Sequence, residues 1–218
     1  MEDAAEGSRG GRERWEDDLM RDGRVAVFID RDGTLIDEVG YLNHLDRIRW
    51  LPHSREAVKR LNESGLLALL VTNQSGVARR VFDMALLQQV HAAITAHLAE
   101  GGARLDGVYF CPHHPDGSDP AYRQVCACRK PKPGMFLRAA QDHGVDLSRS
   151  YFVGDSATDM EAAKNAGLTG VLVLTGYGRG DMDFRVPQRG LEPAHVAVDL
   201  GGAVEWILGR EPGRAPRG

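Results

Sequence analysis

Apolar residues along the chain come in two kinds of run. The first kind is short and unbroken: VAVFID (25–30), LLALLVTN (66–73), GVYFC (107–111), SYFVGD (150–155), GVLVLTG (170–176) and HVAVD (195–199). Consecutive apolar positions suit strands buried on both faces, as in a parallel sheet. The second kind repeats at helical spacing. SREAVKRLNESG predicts a helix from about Ser54 to a stop at Gly65. In DMALLQQVHAAITAHLAEGG, Leu87, Val90, Ile94 and Leu98 share one face, Asp83 caps and Gly101 ends the helix. His91 and His97 are expected at its surface or boundary. KPGMFLRAAQDHG opens near Pro133 and closes at Gly144. TDMEAAKNAG has Thr158 and Glu161 spaced as a capping box and Gly167 as a stop. LGGAVEWIL makes a last helix, and GYGRGDMDFR (176–185) reads as a loop. This βαβα alternation predicts an α/β fold, a Rossmann-like doubly wound parallel sheet with helices on both faces. Ligands in such folds bind at the C-terminal ends of the strands.

Composition narrows the picture. Residues 1–24 mix both charge signs with few apolar positions and predict a disordered leader, with one helical turn around Trp15 to Met20. Residues 210–218 read as a flexible tail, which leaves 25–209 as a single domain. The net charge of −4 gives no electrostatic reason to expect nucleic acid or an anionic membrane as partner. No apolar run reaches bilayer-spanning length, and the N-terminus lacks the apolar core of a secretory signal. The expected location is therefore the reducing cytoplasm, where structural disulfides are rare.

Polar chemistry falls where the strands stop. The first run ends in DRDGTL with Asp30 and Asp32, the second in TNQSG with Thr72, and the fourth in GDSATD with Asp155 and Asp159; Lys130 follows the third. Carboxylates brought together need a cation, and Asp30 with Asp155 form a small set of hard oxygen ligands suited to Mg²⁺. Asp30 can then attack phosphorus, and Asp32 can protonate the leaving oxygen and activate water. Gly33 permits close backbone approach to a phosphoryl group. Thr72 and Lys130 supply a hydroxyl and a positive charge for its oxygens. Taken singly, Asp32 and Asp159 read more simply as turn or cap residues. Arg79 and Arg80, after the TNQSG turn, are candidates for holding a second anion. His44 and His53 read as solvent-facing.

All three cysteines lie in CPHHPDGSDPAYRQVCAC (111–128). Cys111, His113, Cys126 and Cys128 make a closed soft N/S set suited to structural Zn²⁺. His114 is the competing imidazole, and the sequence alone does not choose between the two. Inert buried thiols and a redox switch are the alternative readings. A zinc knuckle in a nucleic-acid binder is another, disfavoured by the charge balance.

FIDRDGTL, VTNQSG, RKPKPGM and VGDSATDM resemble, in order, the four motifs of the haloacid dehalogenase (HAD) superfamily of phosphatases, over about residues 25–200. DRDGTLIDEVGYL, VTNQSGVAR and the cysteine loop running into RKPKPGM are similar to the branch that acts on D-glycero-D-manno-heptose 1,7-bisphosphate, with histidinol-phosphate phosphatases as relatives. The resemblance implies a HAD-like, essentially capless core with a zinc-binding loop. It implies Asp30 as nucleophile and Asp32 as general acid/base. Mg²⁺ would be held by Asp30, the Asp32 backbone carbonyl and Asp155, with Thr72 and Lys130 on the phosphoryl group. Implied substrate contacts are Arg31, Glu38, Val39, Gly40, Tyr41, Asn73, Gln74, Ser75, Arg129 and Ser156. Ser156 stands where many members carry Lys. The same four zinc ligands are implied. The partner would be a small sugar phosphate that feeds heptose-nucleotide and surface-glycan synthesis, and the chain would act as a monomer.

Overall fold

The computed structural model describes residues 23–211. The expected leader therefore lies almost wholly outside the described residues, as does most of the tail. Arg24, counted with the leader on pattern, bridges to Val145 beside the sheet.

Six parallel strands form one sheet: β1 (Ala26–Ile29), β2 (Leu67–Asn73), β3 (Gly107–Cys111), β4 (Tyr151–Gly154), β5 (Thr169–Val173) and β6 (His195–Ala197). Their spatial order is β3-β2-β1-β4-β5-β6. β1 pairs with β2 on one side and β4 on the other, so the winding reverses between β1 and β4. A crevice opens at the carboxyl end of such a switch point.

Five longer helices cover the faces: α1 (Ser54–Glu63), α2 (Met84–Glu100), α3 (Gly134–His143), α4 (Ala157–Ala166) and α5 (Leu200–Arg210). β1 shows how the unbroken run is used. Val25, Val27 and Ile29 point into the core under α1, α2 and α5, and Ala26 and Phe28 point into the core under α3 and α4. All are buried, which is why no polar position interrupts the run. No helix among the described residues is long and apolar enough to cross a membrane.

The helix ends mostly follow their sequence signals. Asp83 accepts the Leu86 N–H at 2.8 Å, and Gly144 and Gly167 close α3 and α4 in the left-handed conformation. Three local expectations fail. The capping box of α4 is Ser156 with Asp159, not Thr158 with Glu161, because the helix starts directly after the β4 aspartate. GYGRGDMDFR is not a loop: Gly178–Gly180, Asp181–Arg185 and Val186–Gln188 make continuous helical turns. The buried Asp181 carboxylate anchors them by accepting the Ala157 N–H at 2.7 Å. His91 is not at the surface; it is 8% exposed and tilts against Phe110. Burial pushes its imidazole down to about 4.

Candidate active site

The loop after β1 carries Asp30, Arg31 and Asp32. Asp30 Oδ1 accepts from the Arg31 N–H and from Lys130 Nζ, both at 2.8 Å, which fixes the carboxylate plane. Asp32 is held on both oxygens. Arg31 donates through Nε and Nη2 at 2.8–3.1 Å, and Gln74 Nε2 donates to Oδ2 at 2.8 Å. Gln74 Nε2 also reaches Thr72 Oγ1 at 2.9 Å, so the end of β2 is tied to the end of β1. Asn73 exchanges hydrogen bonds with the Lys130 backbone at 3.0 and 3.1 Å, tying in the segment after β3.

The segment after β4 supplies two more carboxylates. Lys130 is 4% exposed, and its ammonium lies 2.8 Å from Asp30 and 2.7 Å from Asp159. Oxygens of Asp30, Asp155 and Asp159 all lie within 4.8 Å of one another. Burial would lower the Lys130 ammonium, but Asp159 and Asp30 outweigh it and raise it above the ordinary lysine range. The carboxylates show the opposite strain. Burial pushes Asp30 up to about 7 against the pull of Lys130. Burial, then Asp159 and Asp30, push Asp155 up to about 9. One lysine thus leaves the cluster short of positive charge, and a hard divalent cation fits that deficit. Asp155 is pinned by the Tyr177 N–H at 2.8 Å. Gly33 and Gly176, both at positive φ, crowd the same carboxylate, and a Cβ on either would overlap it.

A cavity of about 340 Å³ opens beside Asp32. Of the residues expected to touch substrate, Arg31, Glu38, Gly40, Tyr41, Asn73, Gln74 and Ser75 line it. Arg31 and Gln74 are mostly engaged in holding Asp32, so their reach to a ligand is through what remains of their donors. Val39, Arg129 and Ser156 are not in its wall. Arg129 turns toward the His113 carbonyl at 3.4 Å. Ser156 Oγ caps α4 by accepting the Asp159 N–H at 3.3 Å, and its hydroxyl also donates to the Asp159 carboxylate at 2.6 Å. Four wall residues had no assigned role: Leu42, Gly76, Phe82 and Tyr177. The helical spacing and loop composition around the last two gave no sign that they would meet. Asp159 joins the charged cluster, although its cap role alone was the simpler reading.

The cysteine loop closes on itself next to this site. Cys111, His113, Cys126 and Cys128 offer donor atoms within 4.8 Å of one another. The Sγ–Sγ distances are 3.1, 3.2 and 3.5 Å, and His113 Nδ1 stands 3.3 Å from Cys128 and 3.8 Å from Cys111. A zinc tetrahedron with bonds of about 2.3 Å has edges of about 3.8 Å, so the donor set fits with slight expansion. The thiols are free, and disulfide sulfurs would lie about 2.05 Å apart. His114 faces elsewhere, to Arg79 and to the Asp116 N–H.

Comparison with known proteins follows the same lines. The HAD-hydrolase-like family matches residues 127–203. A D-glycero-D-manno-heptose-1,7-bisphosphate 7-phosphatase from Thermosynechococcus vestitus is 45% identical over 188 residues, covering 84% of this chain and 95% of the relative. The chain belongs to the HAD-like phosphatases. It is, like them, a phosphoric monoester hydrolase. The D-glycero-beta-D-manno-heptose-1,7-bisphosphate 7-phosphatase of Escherichia coli K12 is 43% identical over 152 residues, covering 69% of this chain and 80% of the relative. Among solved HAD-like structures, the D,D-heptose 1,7-bisphosphate phosphatase of B. bronchiseptica, complexed with magnesium and phosphate, superposes with a TM-score of 0.76 at 37% identity. It covers 85% of this chain and 99% of that one. The six-stranded HAD-like sheet and the Cys₃His cluster agree with the expected fold.

Proposed function

We propose that this chain removes the 7-phosphate of D-glycero-D-manno-heptose 1,7-bisphosphate through an aspartyl-phosphate on Asp30, with residues 25–209 acting as one monomeric catalytic domain. The observation that carries the chemistry is the convergence of Asp30, Asp155, Asp159 and Lys130 at the β1/β4 switch point. The names of the relatives carry the substrate. Asp30, the Asp32 carbonyl and Asp155 are the residues that would hold Mg²⁺, which supplies charge neutralisation for the phosphoryl oxygens.

The Asp30 carboxylate attacks phosphorus, and the bond from phosphorus to the sugar oxygen breaks. Asp32 gives its proton to that oxygen. Lys130 Nζ and Thr72 Oγ1 hold the equatorial oxygens as charge spreads over them. Asp32 then takes a proton from water, which attacks the same phosphorus and releases inorganic phosphate, returning Asp30 to its carboxylate. Arg31 and Gln74 keep Asp32 aimed through both steps. Glu38, Gly40, Tyr41, Asn73 and Ser75 select the sugar. Cys111, His113, Cys126 and Cys128 hold structural Zn²⁺, which orders the loop that ends in Arg129 and Lys130. The product is a heptose 1-phosphate for sugar-nucleotide and surface-glycan synthesis.

A phosphate-release screen with Mg²⁺ over phosphosugars and histidinol phosphate tests this reading, with Asp30→Asn as control. The heptose bisphosphate should give the highest kcat/KM. Preference for histidinol phosphate, or release that survives in Asp30→Asn, would overturn it.

A further inference from the structure

The donors proposed for Mg²⁺ lie on the segments after β1 and β4, but a third segment holds them. Residues 175–181, after β5, span the end of β4 and touch both. At the start of this segment, Thr175 Oγ1 donates to the Gly33 carbonyl at 2.5 Å. The Gly33 N–H donates to the Ile36 carbonyl at 2.8 Å. Both peptides around Gly33 are thus pinned, and its positive-φ turn is locked. The Asp32–Gly33 peptide is trans, so the Asp32 carbonyl is turned away from Ile36. Next, Gly176 packs against Gly33 with the Asp155 carboxylate beside both. The Tyr177 N–H then takes Asp155 Oδ2 at 2.8 Å, which leaves Oδ1 for a cation. At the far end, the buried Asp181 accepts the Ala157 N–H at 2.7 Å and ties the segment to the start of α4, just past Asp155.

We infer that Thr175 is a positioning residue for Mg²⁺: its hydroxyl joins the Gly33 turn to the segment that pins Asp155, so the Asp32 carbonyl and the Asp155 carboxylate are set relative to one another before the ion arrives. This rests on the proposed function for the identity of the ion. β1–β4 pairing places the two backbones, but it fixes neither the peptide plane after Asp32 nor the rotation of the Asp155 carboxylate. Mg²⁺ demands near-ideal octahedral geometry, so both have to be set. Groups that orient metal ligands control affinity because a loose ligand must be ordered when the metal binds. Thr175 lies in none of the four motif segments.

Mg²⁺ titrated calorimetrically into the full chain tests the inference without any substrate. Thr175→Val keeps the branched shape and removes the donor. It should raise the Mg²⁺ Kd about ten- to a hundredfold, the usual effect of losing a group that orients a metal ligand. Thr175→Ala, which loses the same donor, should match it, and Thr175→Ser should recover most of the loss. In phosphate-release assays the Mg²⁺ concentration for half-maximal rate should rise by the same factor, while kcat at saturating Mg²⁺ holds. An unchanged Kd in Thr175→Val and Thr175→Ala would overturn the inference and leave the proposed reaction standing, even if the thermal midpoint fell. A loss of kcat that saturating Mg²⁺ does not repair would overturn it too. If the unsubstituted protein bound no Mg²⁺, the inference and the proposed cofactor would fall together.

Discussion

The two clusters of metal-type donors in this chain are built in opposite ways. The Cys₃His cluster draws every donor from one loop, between Cys111 and Cys128. The carboxylate cluster draws Asp30 and Asp155 from strands more than a hundred residues apart in sequence and brings them together only through β1–β4 pairing. The first is local chemistry, close to the surface and soft. The second is buried and hard, and it is made by the topology of the sheet. Local order can be made by a metal on a loop with little apolar content of its own. Long-range order has to be made by the core, and the core then forces like charges into contact. That is why burial drives Asp30 and Asp155 up to about 7 and about 9.

The sharpest way to separate the clusters is to disable one and read the other. Asp30→Asn should lower kcat by about 10⁴-fold or more, as expected for loss of a nucleophile, with zinc content unchanged. Asp32→Asn should cost about 10²–10⁴-fold, the usual share of general acid/base catalysis. Cys126→Ser should release zinc, lower the thermal midpoint by about 10 °C and reduce kcat at least about tenfold. Full activity after zinc loss, measured by metal analysis beside the assay, would break the proposed link from the loop to Lys130.

Protons offer a milder test of the buried cluster. The folded values of Asp30 and Asp155 lie above their unfolded value of 3.8. Below that value their contribution to stability is complete. It is lost as pH rises through about 7 and about 9, since the unfolded chain then binds fewer protons than the folded one. Metal-free protein should therefore lose stability over this window and Mg²⁺ should restore it, with proton release on binding at pH 7. Calorimetry in buffers of different ionisation heat reads that release. Binding without proton release would show that the cluster is not strained. The smallest effect expected is from Ser156→Ala, about 1 kcal/mol or a few degrees in the thermal midpoint, for loss of the α4 cap.

What was legible in the sequence follows the same division. Each strand of the sheet announced itself as an apolar run, and the strand ends gave Asp30, Asp32, Thr72, Lys130 and Asp155 because motif order mirrors strand order. The cysteine loop was legible because its donors are neighbours in sequence. The misses all depend on contacts that sequence does not carry. Ser156–Asp159 and Thr158–Glu161 both satisfy the capping pattern, and only the end of β4 at Gly154 decides between them. The stretch after Gly176 looks polar and glycine-rich, but Met182 and Val186 pack with Met160 and Leu172, and Asp181 holds Ala157. His91 follows Val90 on α2 and is buried because Phe110, from β3, lies over it. Phe82 and Tyr177 reach the cavity from two segments that no motif joins.

The central claim is spatial: segments following β1, β2, β3 and β4 surround one phosphoryl group. A crystal structure with Mg²⁺ and beryllium trifluoride, a mimic of the phosphoryl group on aspartate, tests it most directly. The account predicts beryllium bonded to an Asp30 oxygen, with Lys130 Nζ and Thr72 Oγ1 on its fluorides and Asp155 on the metal. Beryllofluoride bound elsewhere, or Asp155 and Lys130 out of reach of the group on Asp30, would contradict it.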